Sequence, residues 1–390
     1  MAAVHEIEFS IFLIFTGAAI LATLALYARQ AIIVAYIILG VILGPWGAGL
    51  VDDPELIADI SHIGIVFLLY LLGLDLFPQE LWKMLGEALW VTLLSSLLFF
   101  AAGFAIAWGF SYPLPEALLI GSIMMFSSTI IGVKLLPTTA LHHRHTGQMI
   151  ISVLLIQDLI AIIILLMLQG YGKDDMLLVD ITMQLLTLPL LILVSWFFER
   201  YVIVRLINRF DQIHEYIFLL AIAWCLAVAE VAVLMGLSRE IGAFIAGITL
   251  ASSPIALFIT MKLKPLRDFF LVLFFFSMGA SFNLDIISQI ILPAAILAAC
   301  ALVIKPFVFE KLFVKAHEKR AISREVGYRL GQISEFSFLI ALLAAEAHFI
   351  RQETSYLIQL ATLITFIVSS CIVVLKYRTP IATSDRMRRD

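Results

Sequence analysis

The sequence predicts an all-α polytopic membrane protein of about thirteen transmembrane helices, whose second half repeats the first upside down. Three observations lead there. Of 390 residues, 62% are hydrophobic and only 14% charged, with a mean hydropathy of +1.06, which is not the balance of a soluble domain. The apolar residues gather into thirteen runs separated by polar or Gly/Pro punctuation. Three short stretches of the first half return in the same order in the second half, each about 206–210 residues later.

In order, the runs cover about 7–28, 30–44, 62–76, 87–110, 115–136, 147–169, 177–206, 212–235, 238–252, 267–282, 286–310, 322–346 and 354–376. The second, third, ninth and tenth are short for a full span of about 20 residues. Gly44-Pro45-Trp46-Gly47 ends the second run, and Ser111-Tyr112-Pro113-Leu114-Pro115 separates the fourth from the fifth. No basic region followed by a cleavage site opens the chain, so the first run reads as a retained helix.

Lys and Arg set the orientation. With the N-terminus outside, the inside receives Lys134, Arg144, Arg200, Arg205, Arg209, Lys262, Lys264, Arg267 and the cluster from Lys311 to Arg324. It also receives the tail bases Lys376, Arg378, Arg386, Arg388 and Arg389. The outside receives the acidic loop Asp52, Asp53, Glu55 and Asp59, with Lys173, Arg239 and Arg351 as its bases. This split fits an odd number of spans, N-terminus out and C-terminus in.

The repeated stretches pair Gly40–Gly44 with Gly247–Ala251, Phe67–Leu76 with Leu273–Phe282, and Gly121–Ile130 with Gly331–Ile340. The offset corresponds to seven helices. Seven is odd, so the second copy is inverted, an arrangement found in many secondary transporters.

Asp158 falls near the middle of the run 147–169, beside Gln157. A carboxylate at that depth costs about 2.5–3.5 kcal/mol on insertion scales. It is either an intramembrane site for a cation or proton, or a buried acid that only hydrogen-bonds a neighbouring helix. Phe126-Ser127-Ser128-Thr129 and Gly331-Gln332-Ile333-Ser334-Glu335 lie at matching places in the two repeats. Both suggest interrupted helices whose freed carbonyls and N–H groups line an ion site; the alternative is ordinary Ser/Thr back-bonding within a helix. Lys305 reads either as a lysine snorkelling to the headgroups or as a partner of Asp158 or Glu335. Arg329 and Glu335 lie six residues apart, which disfavours a direct pair and leaves each to another helix, or Arg329 to the interface. His142, His143 and His145 beside Arg144 read as a solvated basic loop rather than a metal site. Cys225, Cys300 and Cys371 sit in apolar runs and read as packing residues. No P-loop and no hydrolase motif is present, so any pumping is expected to run on an ion gradient.

Together, Gln157-Asp158, the two polar patches and the inverted repeat resemble the Kef-type potassium/proton antiporters of the monovalent cation:proton antiporter-2 family, over about residues 10–376. The most specific matches are Gly40-Val-Ile-Leu-Gly-Pro-Trp46, Leu69-Tyr-Leu-Leu-Gly-Leu-Asp75, Ser127-Ser128-Thr129, Leu155-Ile-Gln-Asp158 and Gln332-Ile-Ser-Glu-Phe336. Sodium/proton relatives carry Asn-Asp or Asp-Asp where this chain has Gln157-Asp158. The resemblance implies a homodimer in the sodium/proton antiporter-like fold, with two inverted six-helix repeats and runs five and twelve as crossed, interrupted helices. Residues 1–110 would hold scaffold helices one to three and the first core helix, and 111–170 the core helices with the Gln-Asp site. Residues 177–206 would form a linker, 212–282 scaffold helices eight to ten, 286–376 core helices eleven to thirteen, and 377–390 a basic cytoplasmic tail.

The activity it implies is exchange of a monovalent cation, K⁺, for H⁺ by alternating access. Asp158 would take cation and proton in turn, Ser127, Ser128, Thr129 and Gln157 would supply neutral oxygens, and Lys305, Glu335 and Arg329 would be core charge partners. Lys305 matches the core lysine of the family. Na⁺/H⁺ exchange on the same fold is the alternative, and a gated cation channel the alternative from another class. No enzymatic activity, cofactor, nucleic acid or metal beyond the transported ion is expected. The expected partners are the bilayer, here a bacterial inner membrane, a second copy of the chain, and a regulatory domain or ancillary subunit. Family members usually continue into a nucleotide-binding domain; no Gly-x-Gly-x-x-Gly after a strand appears in this sequence, so nucleotide gating is not carried over.

Overall fold

The computed structural model describes residues 2–28, 30, 32–51, 63–67, 69–71, 73–74, 78–128, 132, 145–169, 177–210, 212–251, 253, 255–377 and 379. Helices account for nearly all of them. α1 (Ala2–Tyr27), α2 (Ile32–Leu43), α3 (Pro78–Gly109) and α4 (Leu114–Met124) precede α5 (His145–Gln169) and α6 (Leu177–Phe198). A π-helical turn at Glu199–Ile203 joins α6 to α7 (Val204–Arg209). Then come α8 (His214–Leu234), α9 (Arg239–Ala251), α10 (Ala256–Ala280) and α11 (Ile287–Lys315). The last three are α12 (Arg320–Arg329), α13 (Phe336–Glu346) and α14 (Gln352–Lys376). Among the described residues five helices are long and apolar enough to cross a membrane, with windows at Glu8–Tyr27, Ala88–Gly109, His214–Leu234, Leu284–Lys315 and Gln352–Lys376.

The helices overrun several apolar runs. α10 begins at Ala256 and carries Lys262, Lys264 and Pro265, which the run 267–282 had left in a connection. Charged residues near a helix end reach polar surroundings without unwinding the backbone, so an apolar run marks the span and not the helix.

The chain divides into two compact units, one of residues 1–18, 36–83 and 169–281, the other of 19–35, 84–168 and 282–390. In the first unit the repeat is visible in glycine crossings. A Cβ on Gly40 would lie 2.0 Å from the Phe276 carbonyl, and one on Gly279 would lie 2.1 Å from that of Ile37. The mirrored pair is Gly73 against Phe244 at 2.4 Å and Gly247 against Tyr70 at 2.2 Å. Gly247 is the repeat counterpart of Gly40, and Gly279 that of Gly73, so each copy's helix crosses the non-equivalent helix of the other copy. Without a hydrophobic drive between helices in lipid, such close backbone approach is what gives them contact area.

In the second unit the helices of runs five and twelve are interrupted. α4 opens on Pro113 and Pro115, residues suited to a first turn that needs no N–H, and stops at Met124. α12 stops at Arg329; Leu330 to Glu335 are not helical, and Ser334 Oγ accepts from the Phe336 N–H at 3.1 Å to open α13. The two interrupted helices run antiparallel. Glu116, in the first turn of α4, meets Arg351 just beyond α13, at 2.8 Å from Oε1 to Nε and 2.9 Å from Oε2 to the guanidinium terminus. Thr354 Oγ1 donates to the same carboxylate at 2.7 Å. Further in, Ser337 Oγ donates to the Ile123 carbonyl, and Ser127 meets Leu330.

Candidate functional site: a crossing of two interrupted helices

Where a helix breaks inside a membrane, its freed backbone groups need partners from protein. Here the partners can be named, and all belong to the second unit. Ser127 N–H donates to Gln157 Oε1 at 2.9 Å, and Ser127 Oγ donates to the Leu330 carbonyl at 2.9 Å. Gln332 Nε2 donates to the Arg329 carbonyl at 2.9 Å and to the Ser128 carbonyl at 3.3 Å, while Ser369 Oγ donates to Gln332 Oε1 at 3.0 Å. Ile333 N–H donates to Thr365 Oγ1 at 3.1 Å. The breaks are therefore stitched to each other and to α5 and α14.

Lys305 lies at the centre. Its ammonium donates to the carbonyls of Phe126 at 2.7 Å and Gln332 at 2.8 Å, and stands 5.3 Å from the centre of the Phe99 ring. It is completely buried, whereas Val303 and Phe307 on the opposite face of α11 are 69% and 61% exposed. Lys305 therefore does not snorkel, and its hydrogen bonds go to carbonyls rather than to Asp158 or Glu335. The close approach that allows this comes from Gly327: a Cβ there would lie 2.6 Å from the Pro306 carbonyl.

Asp158 sits one residue beyond Gln157 on α5, buried at 3% exposure. Glu335, buried at the start of α13, is a second carboxylate in this unit. Gln157 is fully buried; its oxygen is engaged by the Ser127 N–H, and its Nε2 has no hydrogen-bond partner among the described residues. The oxygen expected to face a cation also accepts the Ser127 N–H at the first break. Ser128 is buried at the same break, and Thr129 lies outside the described residues. Arg329 is buried, pairs with Glu325 one turn back at 2.9 Å, and its guanidinium stands 5.6 Å from the centre of the Tyr377 ring. His142 and His143 lie outside the described residues, and among the described residues no His/Cys/Asp/Glu cluster could hold a metal ion. The three cysteines are free thiols, and Cys371 Sγ accepts from Gln30 Nε2 at 2.9 Å.

The sequence reading did not single out Phe99, Thr365 or Ser369. A signal was available: Ser355, Gln359, Thr362, Thr365 and Ser369 follow helical spacing in an apolar run, and all are buried.

Comparison with known proteins fits this geometry. The transmembrane model of the sodium/hydrogen exchanger family matches residues 11–375. The chain belongs to the sodium/hydrogen exchanger family. Relatives of this exchanger-family chain include K(+) efflux antiporter 5 of Arabidopsis thaliana, 31% identical over 352 residues, covering 85% of the chain and 60% of the relative. The glutathione-regulated potassium-efflux system protein KefC of Enterobacter sp. (strain 638) is 30% identical over 388 residues, covering 96% and 61%. The iron transporter MagA of Paramagnetospirillum magneticum is 25% identical over 345 residues, covering 87% and 79%. The chain spans about three-fifths of the length of the two potassium-efflux relatives. Among solved structures, the sodium proton antiporter MjNhaP1 of Methanocaldococcus jannaschii shares the fold, with a TM-score of 0.71 at 15% identity, covering 95% of this exchanger-family chain and 96% of that one.

Proposed function

We propose that this membrane protein exchanges a monovalent cation, K⁺, for H⁺ by alternating access, with Asp158 binding the two in turn. The observation that carries the reading is the burial of Asp158 within an apolar helix directly beside a crossing of two interrupted helices. A carboxylate is the one oxygen ligand there that can also take up a proton. Backbone carbonyls and the hydroxyls of Ser127, Ser128 and Thr129 supply neutral oxygens, which suit a large, weakly hydrated cation. Gln157 holds the first break, and Lys305 is a resident ammonium where the breaks meet. Two relatives at 30–31% identity are named for potassium efflux, which favours K⁺. In this reading the second compact unit carries the ion and the first anchors a homodimer, in a bacterial inner membrane with the N-terminus outside and the C-terminus inside.

The test is a cation panel in proteoliposomes containing a pH-sensitive dye. K⁺-driven proton flux that exceeds Na⁺-driven flux at matched concentration is the expected result. Na⁺ alone driving proton flux transfers the assignment to Na⁺/H⁺ exchange. Cation flux without obligatory proton movement would mark a channel. Fe²⁺ belongs in the panel because one relative is named an iron transporter.

A further inference from the structure

The hydrogen bonds at the two breaks recur at an offset of 206 residues, four short of the one that pairs Gly121–Ile130 with Gly331–Ile340. Phe126 and Gln332, whose carbonyls both accept from Lys305, lie 206 residues apart. Phe99, whose ring faces that ammonium, lies 206 residues before Lys305 itself. At the same offset, Ser127 and Ile333 each donate a backbone N–H to a side chain on the helix of the next apolar run: Gln157 on α5 at 2.9 Å, and Thr365 on α14 at 3.1 Å. Gln157 and Thr365 are 208 residues apart, two positions off that register, so what the two copies share here is the kind of contact.

We infer that Thr365 is a positioning residue for ion exchange: it holds the second interrupted segment as Gln157 holds the first, and so sets where Glu335 stands relative to Asp158. The inference rests on the exchange reading above. Leu330 to Glu335 have no helical ladder to fix them, so their place depends on contacts with neighbours. Thr365 is completely buried, and its hydroxyl hydrogen is committed to the Thr362 carbonyl at 2.8 Å. That bond fixes the direction of the lone pair that receives Ile333. Ordinary back-bonding of a helix hydroxyl would need no acceptance from another element. Thr362 shows the contrast: it is equally buried and donates to the Ile358 carbonyl at 2.8 Å, on its own helix. Ser369 adds a second brace on the same face of α14 by holding the Gln332 amide. Glu335 follows Ile333 by two residues, so loss of the Thr365 contact frees the segment that carries this acid.

The test compares wild type, Thr365→Val, Thr365→Ser and Thr362→Val in proteoliposomes, with Asp158→Asn as the inactive reference. Thr365→Val is expected to raise the half-saturating K⁺ concentration about tenfold, in the range seen when supporting partners of ion ligands are removed. Thr365→Ser, which keeps the acceptor, and Thr362→Val should stay near wild type. Hydrogen–deuterium exchange on the same proteins, together with Thr365→Ala, reads the contact without any transport. Faster exchange across 330–335 in Thr365→Val and Thr365→Ala, with 125–128 unchanged, supports the inference. Wild-type half-saturation in Thr365→Val, equal losses in Thr365→Val and Thr362→Val, or unchanged protection across 330–335 would overturn it. If wild type itself exchanges no cation for protons, the exchange reading fails, and the deuterium arm still decides whether Thr365 holds the break.

Discussion

A carboxylate inside an apolar helix has to do something that an amide of the same shape does not. Asp158→Asn keeps the size and hydrogen-bonding reach of the side chain but can neither bind and release a proton nor neutralise a cation. Exchange should therefore vanish while the purified protein keeps its elution position and thermal melt; retained K⁺/H⁺ exchange would remove Asp158 from the centre of the mechanism. Lys305 predicts the opposite pattern. Lys305→Met fits the apolar volume but withdraws the donor shared by the Phe126 and Gln332 carbonyls. Each buried acceptor left unmet costs about 1–3 kcal/mol, so the variant should melt well below wild type. A Lys305→Met protein as stable as wild type would show that other groups hold the crossing.

At the scale of helices, the first unit depends on backbone approach and the second on stitched breaks. Gly247→Leu would drive a side chain into the Tyr70 carbonyl, 2.2 Å from where its Cβ must sit. The clash is with backbone, so no rotamer relieves it, and the expected outcome is loss of folded protein on size-exclusion chromatography. Gly49, with open space around its Cβ position, is the control, although its φ of +60° makes Asn the suitable replacement there. In the second unit, Glu116 ties the start of α4 to Arg351 and Thr354. Glu116→Leu leaves Arg351 able to reach water, since that side chain is 56% exposed. The cost should then be smaller than for Lys305→Met, and a thermal melt of the two variants side by side checks the order.

For the whole molecule, the inverted repeat and the single Asp158 each predict a measurable property. The connection holding Arg144 and the one holding Arg351 follow runs five and twelve, which are seven helices apart. They should lie on opposite sides of the membrane, and single-cysteine labelling in a cysteine-free background tests this; labelling of both from one side is the failing result. If Asp158 carries either one K⁺ or one H⁺, each half-cycle moves the same charge and exchange is electroneutral. Neutrality requires that Lys305, held on the Phe126 and Gln332 carbonyls, keep its proton through the cycle. An imposed voltage should leave the equilibrium pH gradient unchanged, and a clear shift would implicate a second proton carrier, Lys305 or Glu335.

Composition, apolar runs and the repeated glycines determined the membrane class, the order of the helices and the inverted repeat, because lipid imposes burial and period on every span. The same reading found Asp158 and both breaks, since polar residues in an apolar run stand out. It did not say what Gln157 or Lys305 touches. Gln157 was expected to face the cation, and its oxygen is on the Ser127 N–H. Lys305 was expected at the headgroups or on a carboxylate, and it bridges two carbonyls. Thr365 looked like any helix threonine until Ile333 was seen to donate to it. These contacts join residues 30 to more than 200 positions apart. Local pattern fixes which groups are freed at a break, but only the packing of distant helices decides which of them meet.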